Sequence, residues 1–251
     1  MFGKFHYDAK GSEYFSTVFV QILLSILTLG FYYPWAIVKI VRFYCDHLTI
    51  DGRRFSFEGK GGELFILFLI QILLVSITLG IYLPWAIVNI EKFMCEKITL
   101  DNKPFLTEIT GGKLFSIIFI SYVLTIVTLG IYAAWAYVNI TRYFIENSKY
   151  DGVHFSFNAT GGEVFSLYLG QILLTIITFG IYYPWARVKI DSFMCKNTGY
   201  MERHFRFAGN GGTLFSLIFK GVLLSAVTCG IYFFWFQNEL SSFYFNNLSL
   251  E

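Results

Sequence analysis

Between Gly61 and Phe93 the chain reads GGELFILFLIQILLVSITLGIYLPWAIVNIEKF, two apolar stretches separated by a TLGIY turn, and it says this five times. A shift of 50 residues lays the sequence on itself without a gap: Phe5 returns as Phe55, Phe105, Phe155 and Phe205, and Trp35 as Trp85, Trp135, Trp185 and Trp235. Gly11, Phe15, Leu24, Thr28, Gly30 and Tyr32 recur unchanged in all five copies. Self-similarity at a fixed period marks units that bury their apolar faces against one another.

The first copy predicts the elements of all. A short alternating segment, Phe2 to Tyr7, leads to a turn at Lys10-Gly11. Helix one follows from about Glu13 to Thr28, and Gly30 ends it, because a left-handed C′ position favours glycine. Phe31-Tyr32-Tyr33 makes the turn, and Pro34 opens helix two at the position proline tolerates best. Helix two spans Trp35 to about His47. Leu48-Thr49-Ile50, Asp51-Gly52 and Arg54–Phe57 then read as a β-hairpin, since a DG pair between alternating segments is a strong two-residue turn signal. Asp101-Asn102 and Asp151-Gly152 keep that turn, while Gly199–Glu202 has lost it. The chain starts on the second strand of a hairpin and stops after the first strand of another. Pairing of Lys4–Tyr7 with Leu248–Leu250 would complete a fifth hairpin and remove two open edges.

Composition turns this pattern into a membrane reading. Of 251 residues, 55% are hydrophobic and 14% charged, with mean hydropathy +0.57, against about 25% charged in an ordinary soluble domain. The opening MFGKFHYDAK lacks the apolar region and cleavage site of a signal peptide. Lys and Arg cluster in the hairpin linkers and along helix two, and the turns such as Thr28–Pro34 carry no charge. Two crossings per unit would keep every basic linker on one side, as the positive-inside rule prefers, with Tyr32, Trp35 and their repeats as an aromatic belt. The expected fold is therefore membrane α-helical with small β-hairpins. Five tandem repeats (1–50, 51–100, 101–150, 151–200, 201–251) form one integral membrane domain closed into a pseudo-fivefold ring. The N-terminus and hairpins would be cytoplasmic. Length bears on this: helix one offers roughly 24 Å against about 30 Å of hydrocarbon, and helix two carries Lys39 and Arg42 within its span. Either the bilayer thins, or helix two is screened by helix one, or the hairpins enter without crossing.

Two polar patterns are candidates for function. Helix one carries a stripe whose largest members are Gln21, Gln71 and Gln171, either helix–helix glue or a conduit wall. On helix two, Lys39, Asn89, Asn139, Lys189 and Glu239 share one position, and Arg42, Lys92 and Arg142 lie three residues on. These read as i, i+4 pairs such as Arg42–Asp46 on a solvated helix end, or as rings lining an axis that would draw anions. Cys45, Cys95 and Cys195 share one repeat position, with no CxxC, and fit small side chains at helix ends rather than a metal or redox cluster. His6, His47, His154 and His204 have no metal-ligand or triad spacing, and no phosphate-binding loop occurs. The sequence predicts no enzyme, no cofactor and no metal. A net charge of +2 without a basic run does not fit nucleic acid. The partners expected are a lipid bilayer and a membrane protein. Function stands between a single-chain conduit for ions or small solutes and an accessory protein that organises lipid or docks a partner.

The block LTLGFYYPWAIVKIVRF, with GSEYF before it and DGRRFSFEG after, resembles the YjgN family of bacterial inner-membrane proteins. The resemblance covers all five units through the ordered run GG, TLGIY, PWA and DG…F. It implies a polytopic bacterial inner-membrane protein whose molecular function is not established, and it transfers no catalytic or binding residues.

Overall fold

Each unit puts its residues where the pattern of apolar positions asks, with small shifts at the ends. The structure, a computed structural model, describes residues 3–251; Met1 and Phe2, at the start of the expected alternating segment and of the opening read for a signal peptide, lie outside the described residues. Strand β1 (Gly3–Tyr7) leads into α1 (Gly11–Leu27), α2 (Tyr33–Asp46), β2 (Leu48–Ile50) and β3 (Arg53–Phe57). The second unit adds α3 (Gly61–Ile77), α4 (Leu83–Lys97), β4 (Ile98–Leu100) and β5 (Lys103–Thr107). The third adds α5 (Gly111–Val127), α6 (Ala133–Glu146), β6 (Ser148–Tyr150) and β7 (Val153–Phe157). The fourth adds α7 (Gly161–Ile177), α8 (Tyr183–Lys196), β8 (Thr198–Tyr200) and β9 (Arg203–Phe207), and the last α9 (Gly211–Val227), α10 (Phe233–Asn246) and β10 (Leu248–Leu250).

Two features correct the expectation of a membrane α-helical fold with small β-hairpins. All ten strands join in one closed antiparallel barrel in the order β1-β10-β9-β8-β7-β6-β5-β4-β3-β2. The link between units is the pairing of β3 with β4, Phe55 facing Leu100, and its repeats. Tight turns announce the pairing within a hairpin, but nothing local announces pairing between residues more than 40 apart. Closure uses Gly3 against Leu250 and Lys4 against Ser249, while Phe5–Tyr7 pair with β2. Second, among the described residues no helix is long and apolar enough to cross a membrane. Seventeen residues rise roughly 25 Å, short of about 30 Å of hydrocarbon, so the helices lack the length that the multi-pass expectation requires. The charge asymmetry that suggested paired crossings instead separates two ends of one body.

The helices form a second closed circuit. Each packs on its neighbours in chain order, and α10 packs on α1. A repeated staple joins the units: the Trp35 indole lies against Gly61 and 5.0 Å from the Phe65 ring. Trp85, Trp135 and Trp185 do the same to the following unit, and Trp235 returns to Gly11 and Phe15, with centroids 4.8 Å apart. Tyr32 stacks on Trp35, 6.0 Å away, and so braces the indole that reaches into the next unit. Small cores lie where helix two meets its strands, as in the cluster of Val38, Cys45, Phe57 and Leu64.

Inside the barrel stand the five phenylalanines of the repeat. Phe5–Phe55, Phe55–Phe105, Phe5–Phe205 and Phe155–Phe205 lie 6.2–6.4 Å apart. They sit on strands two apart, roughly 9.6 Å at ordinary strand spacing, so the rings converge and must point inward. Rings standing upright about a fivefold axis would meet at roughly 72°. The angles here are 13–34°, so they lie across the lumen like petals. Between Phe105 and Phe155, Tyr150 and Tyr200 continue the loop at 4.7, 6.0 and 4.9 Å.

Candidate functional site

The end of the molecule away from the barrel is a crown of five apolar tips. After α1, Thr28 fixes the turn: its hydroxyl donates to the Leu24 carbonyl (2.7 Å) and accepts the Tyr32 N–H (3.0 Å). Thr78, Thr128, Thr178 and Thr228 repeat both bonds. The next residue is left-handed in every copy, and it is never small and polar: Leu29, Leu79, Leu129, Phe179 and Cys229, at φ 49–51°. That conformation costs a residue with a β-carbon about 1–2 kcal/mol, and large apolar side chains seldom adopt it. These side chains are also almost wholly bare, Leu29 91%, Leu79 and Leu129 94% and Phe179 96% exposed. Ile26, Leu27, Ile77, Val127 and Ile177 widen the apolar surface. No charge occurs between Gln21 and Val38, Gln71 and Val88, Ser121 and Val138, Gln171 and Ala186, or Gly221 and Asn238.

Six of the polar residues singled out in the sequence find partners within their own hairpin. Gln21 Oε1 accepts from the Tyr32 hydroxyl (3.1 Å), and Gln71 Oε1 accepts from Asn89 Nδ2 (3.1 Å). Asn139 donates to the Tyr132 hydroxyl (3.3 Å) and Lys189 to that of Tyr182 (2.8 Å). Glu239 accepts from Tyr232 and pairs with Lys220 at 2.8 Å. Lys39 is exposed and Lys92 half-buried. Arg42 donates to the Phe57 and Gly59 carbonyls (3.3 and 2.9 Å), and Arg142 to those of Phe157 and Ala159 (3.4 and 2.6 Å), tying helix two to its strand. Of the expected i, i+4 pairs, Arg142–Glu146 forms, at 3.7 Å.

Sequence reasoning passed over the place where the repeat breaks. Position 37 is apolar or aromatic in the first three units (Ile37, Ile87, Tyr137), but the fourth has Arg187, and Asp191 replaces the valine of Val41. Arg187 Nε lies 2.8 Å from Asp191, and the guanidinium sits 5.8 Å over the Tyr244 ring of α10. Burial raises the Asp191 carboxyl above the usual carboxylate range although Arg187 opposes this. A cleft of about 420 Å³ opens here between α7 and α8, lined by Arg187, Tyr183, Tyr168, Gln171 and several isoleucines. The legible signal was the pairing of Arg187 with Asp191 at positions that hold Ile37 and Val41 in the first unit, not any motif.

The five tandem units and the barrel they close define a class, a repeat protein built as a ring with a polar and an apolar end. The chain belongs to the family described as "Bacterial protein of unknown function (DUF898)", which matches residues 3–72, 53–106, 108–169 and 153–206. Among curated proteins it is similar to "Inner membrane protein YjgN" of Escherichia coli (strain K12), 39% identical over 51 residues, 20% of this chain and 13% of that protein. The protein of that name from Salmonella typhimurium is 39% identical over 49 residues, 20% of this chain and 12% of its own length. The match thus spans about one unit here and an eighth of the relatives. No solved structure matches the chain.

Proposed function

We propose that this protein is a membrane-docked, non-conducting accessory ring, which sets its apolar crown into one face of a bacterial inner membrane and presents the barrel to water. The observation that carries the reading is the set of left-handed, bare apolar tips. Local strain persists where function repays it, and a contiguous apolar surface of this extent marks a lipid or protein contact. Five repeats of one apolar prong around a closed ring suit a lipid surface, and the relatives are named inner membrane proteins. Against a conduit stands the loop of aromatic rings lying across the barrel. The polar mouth beyond it, where Arg53 meets Asp101 at 3.2 Å and Lys103 meets Asp151 at 2.7 Å, is the surface offered to a partner.

The test replaces Leu29, Leu79, Leu129 and Phe179 with Asn, which accepts the left-handed conformation. Burying each such side chain is worth about 1.5–3 kcal/mol, so the fourfold variant should fail to float with lipid vesicles while its melting temperature stays level or rises. Flotation equal to that of the parent would end the docking reading.

A further inference from the structure

We infer that the cleft between α7 and α8 binds one anionic phospholipid, of the kind whose headgroup carries a hydroxyl as well as a phosphate. Each requirement is met by a separate feature of the fourth unit, one of sequence and one of hydrogen bonding. Arg187 supplies the cation. Asp191 engages only its Nε–H and is itself the more buried of the two, with 17% of its side chain exposed against 47% for Arg187. Tyr244 lies beneath the guanidinium. A guanidinium has five donors in a planar fork, so the outward part of Arg187 remains for a phosphate, the geometry it matches best.

Gln171 supplies the second requirement. It is 9% exposed, lines the same cleft, and its Oε1 has no hydrogen-bond partner. In units one and two the equivalent oxygen is satisfied by Tyr32 or Asn89. In unit four the Tyr182 hydroxyl accepts from Lys189 instead, and the glutamine oxygen is left without a donor. A buried acceptor in that state costs free energy until a donor arrives, and a headgroup hydroxyl is such a donor. Ile172, Ile176 and Ile190 form the apolar wall, and Ile172 and Ile176 lead along α7 to the exposed Ile177 and Phe179 of the crown, a path for an acyl chain. The cleft volume falls in the range of small-molecule sites. Within this ring of five units the combination occurs once, so the predicted stoichiometry is one lipid per chain.

The site goes beyond membrane docking and is tested without a membrane. The full chain in a non-ionic detergent is titrated calorimetrically with dihexanoyl-phosphatidylglycerol, and separately with dihexanoyl-phosphatidylcholine and inorganic phosphate. Saturation near one equivalent, preference for the glycerol headgroup, and weak binding of phosphate alone are expected. The double variant Arg187→Ile with Asp191→Val gives unit four the residues that unit one already carries at Ile37 and Val41, so the fold should tolerate it. It should weaken binding roughly tenfold or more. Gln171→Ser, which copies Ser121, should cost several-fold and abolish the headgroup preference, while Lys196→Gln, at the exposed end of α8 and outside the cleft, should leave both unchanged. Unaltered affinity in the double variant overturns the assignment, as does saturation at five equivalents. Phosphate binding as tightly as the lipid would show a plain anion site and overturn it too.

Discussion

The paired glycines of the repeat have different reasons to be glycine, and the difference can be measured. A β-carbon on Gly61 would collide with the Trp35 indole, and Gly111, Gly161, Gly211 and Gly11 meet Trp85, Trp135, Trp185 and Trp235 in the same way. A β-carbon on Gly62, one residue on, meets nothing within 4 Å. Overpacking a fitted contact costs about 1–3 kcal/mol, whereas alanine in place of an exposed helical glycine gains roughly 0.5–1 kcal/mol. Gly61→Ala should therefore lower the unfolding midpoint and Gly62→Ala raise it, by chemical denaturation followed through tryptophan emission. Equal effects would remove the staple from the account of how units join. The cysteines differ as sharply. Burial pushes the Cys45 thiol up to about 11, and that of Cys95 to about 12 with Glu91 adding to it; Cys195 rises by burial to about 11. Cys229 stands exposed on a crown tip. At neutral pH the first three are protonated and enclosed, which leaves Cys229 as the reactive thiol.

At the scale of elements, the TLGIY turn carries more than its glycine. Thr78 Oγ1 accepts the Tyr82 N–H at 3.0 Å while donating to the Leu74 carbonyl at 2.7 Å. Thr78→Val keeps the shape and loses both, at about 0.5–1.5 kcal/mol for a hydrogen bond; Thr78→Ser should restore most of it. A thermal melt in which the valine and serine variants coincide would contradict this role. Helices and hairpins were largely legible, because period, proline and DG signals are local: helix one was expected from Glu13 to Thr28 and runs from Gly11 to Leu27, and helix two from Trp35 to His47 runs from Tyr33 to Asp46. What spans units was not. The β3–β4 pairing, the Trp35–Gly61 contact and the convergence of Phe5, Phe55, Phe105, Phe155 and Phe205 all depend on how neighbouring copies face each other, which a periodic sequence leaves open. Arg187 was hidden differently: against a repeat of Ile37, Ile87 and Tyr137 it looked like one more variable surface position, and only the cleft beside Gln171 gives it meaning.

The whole molecule is polar at one end and apolar at the other, and in the proposed arrangement the apolar end lies in lipid while the barrel does not. Helices of seventeen residues or fewer that do not reach across a bilayer can still sink their exposed tips into one leaflet, since burying about 25 cal/mol per Å² of apolar surface needs depth of only a few ångströms of side chain. Cys229 is placed to report this, being the exposed cysteine and part of a tip. In protein reconstituted into vesicles, a fluorophore on Cys229 should be quenched by brominated acyl chains and shielded from aqueous iodide. The same fluorophore moved to the barrel's hairpin turn, as Asn102→Cys in a Cys229→Ser background, should respond in the opposite way. Iodide quenching of both labels, or acyl-chain quenching of the one at Asn102, would contradict the account.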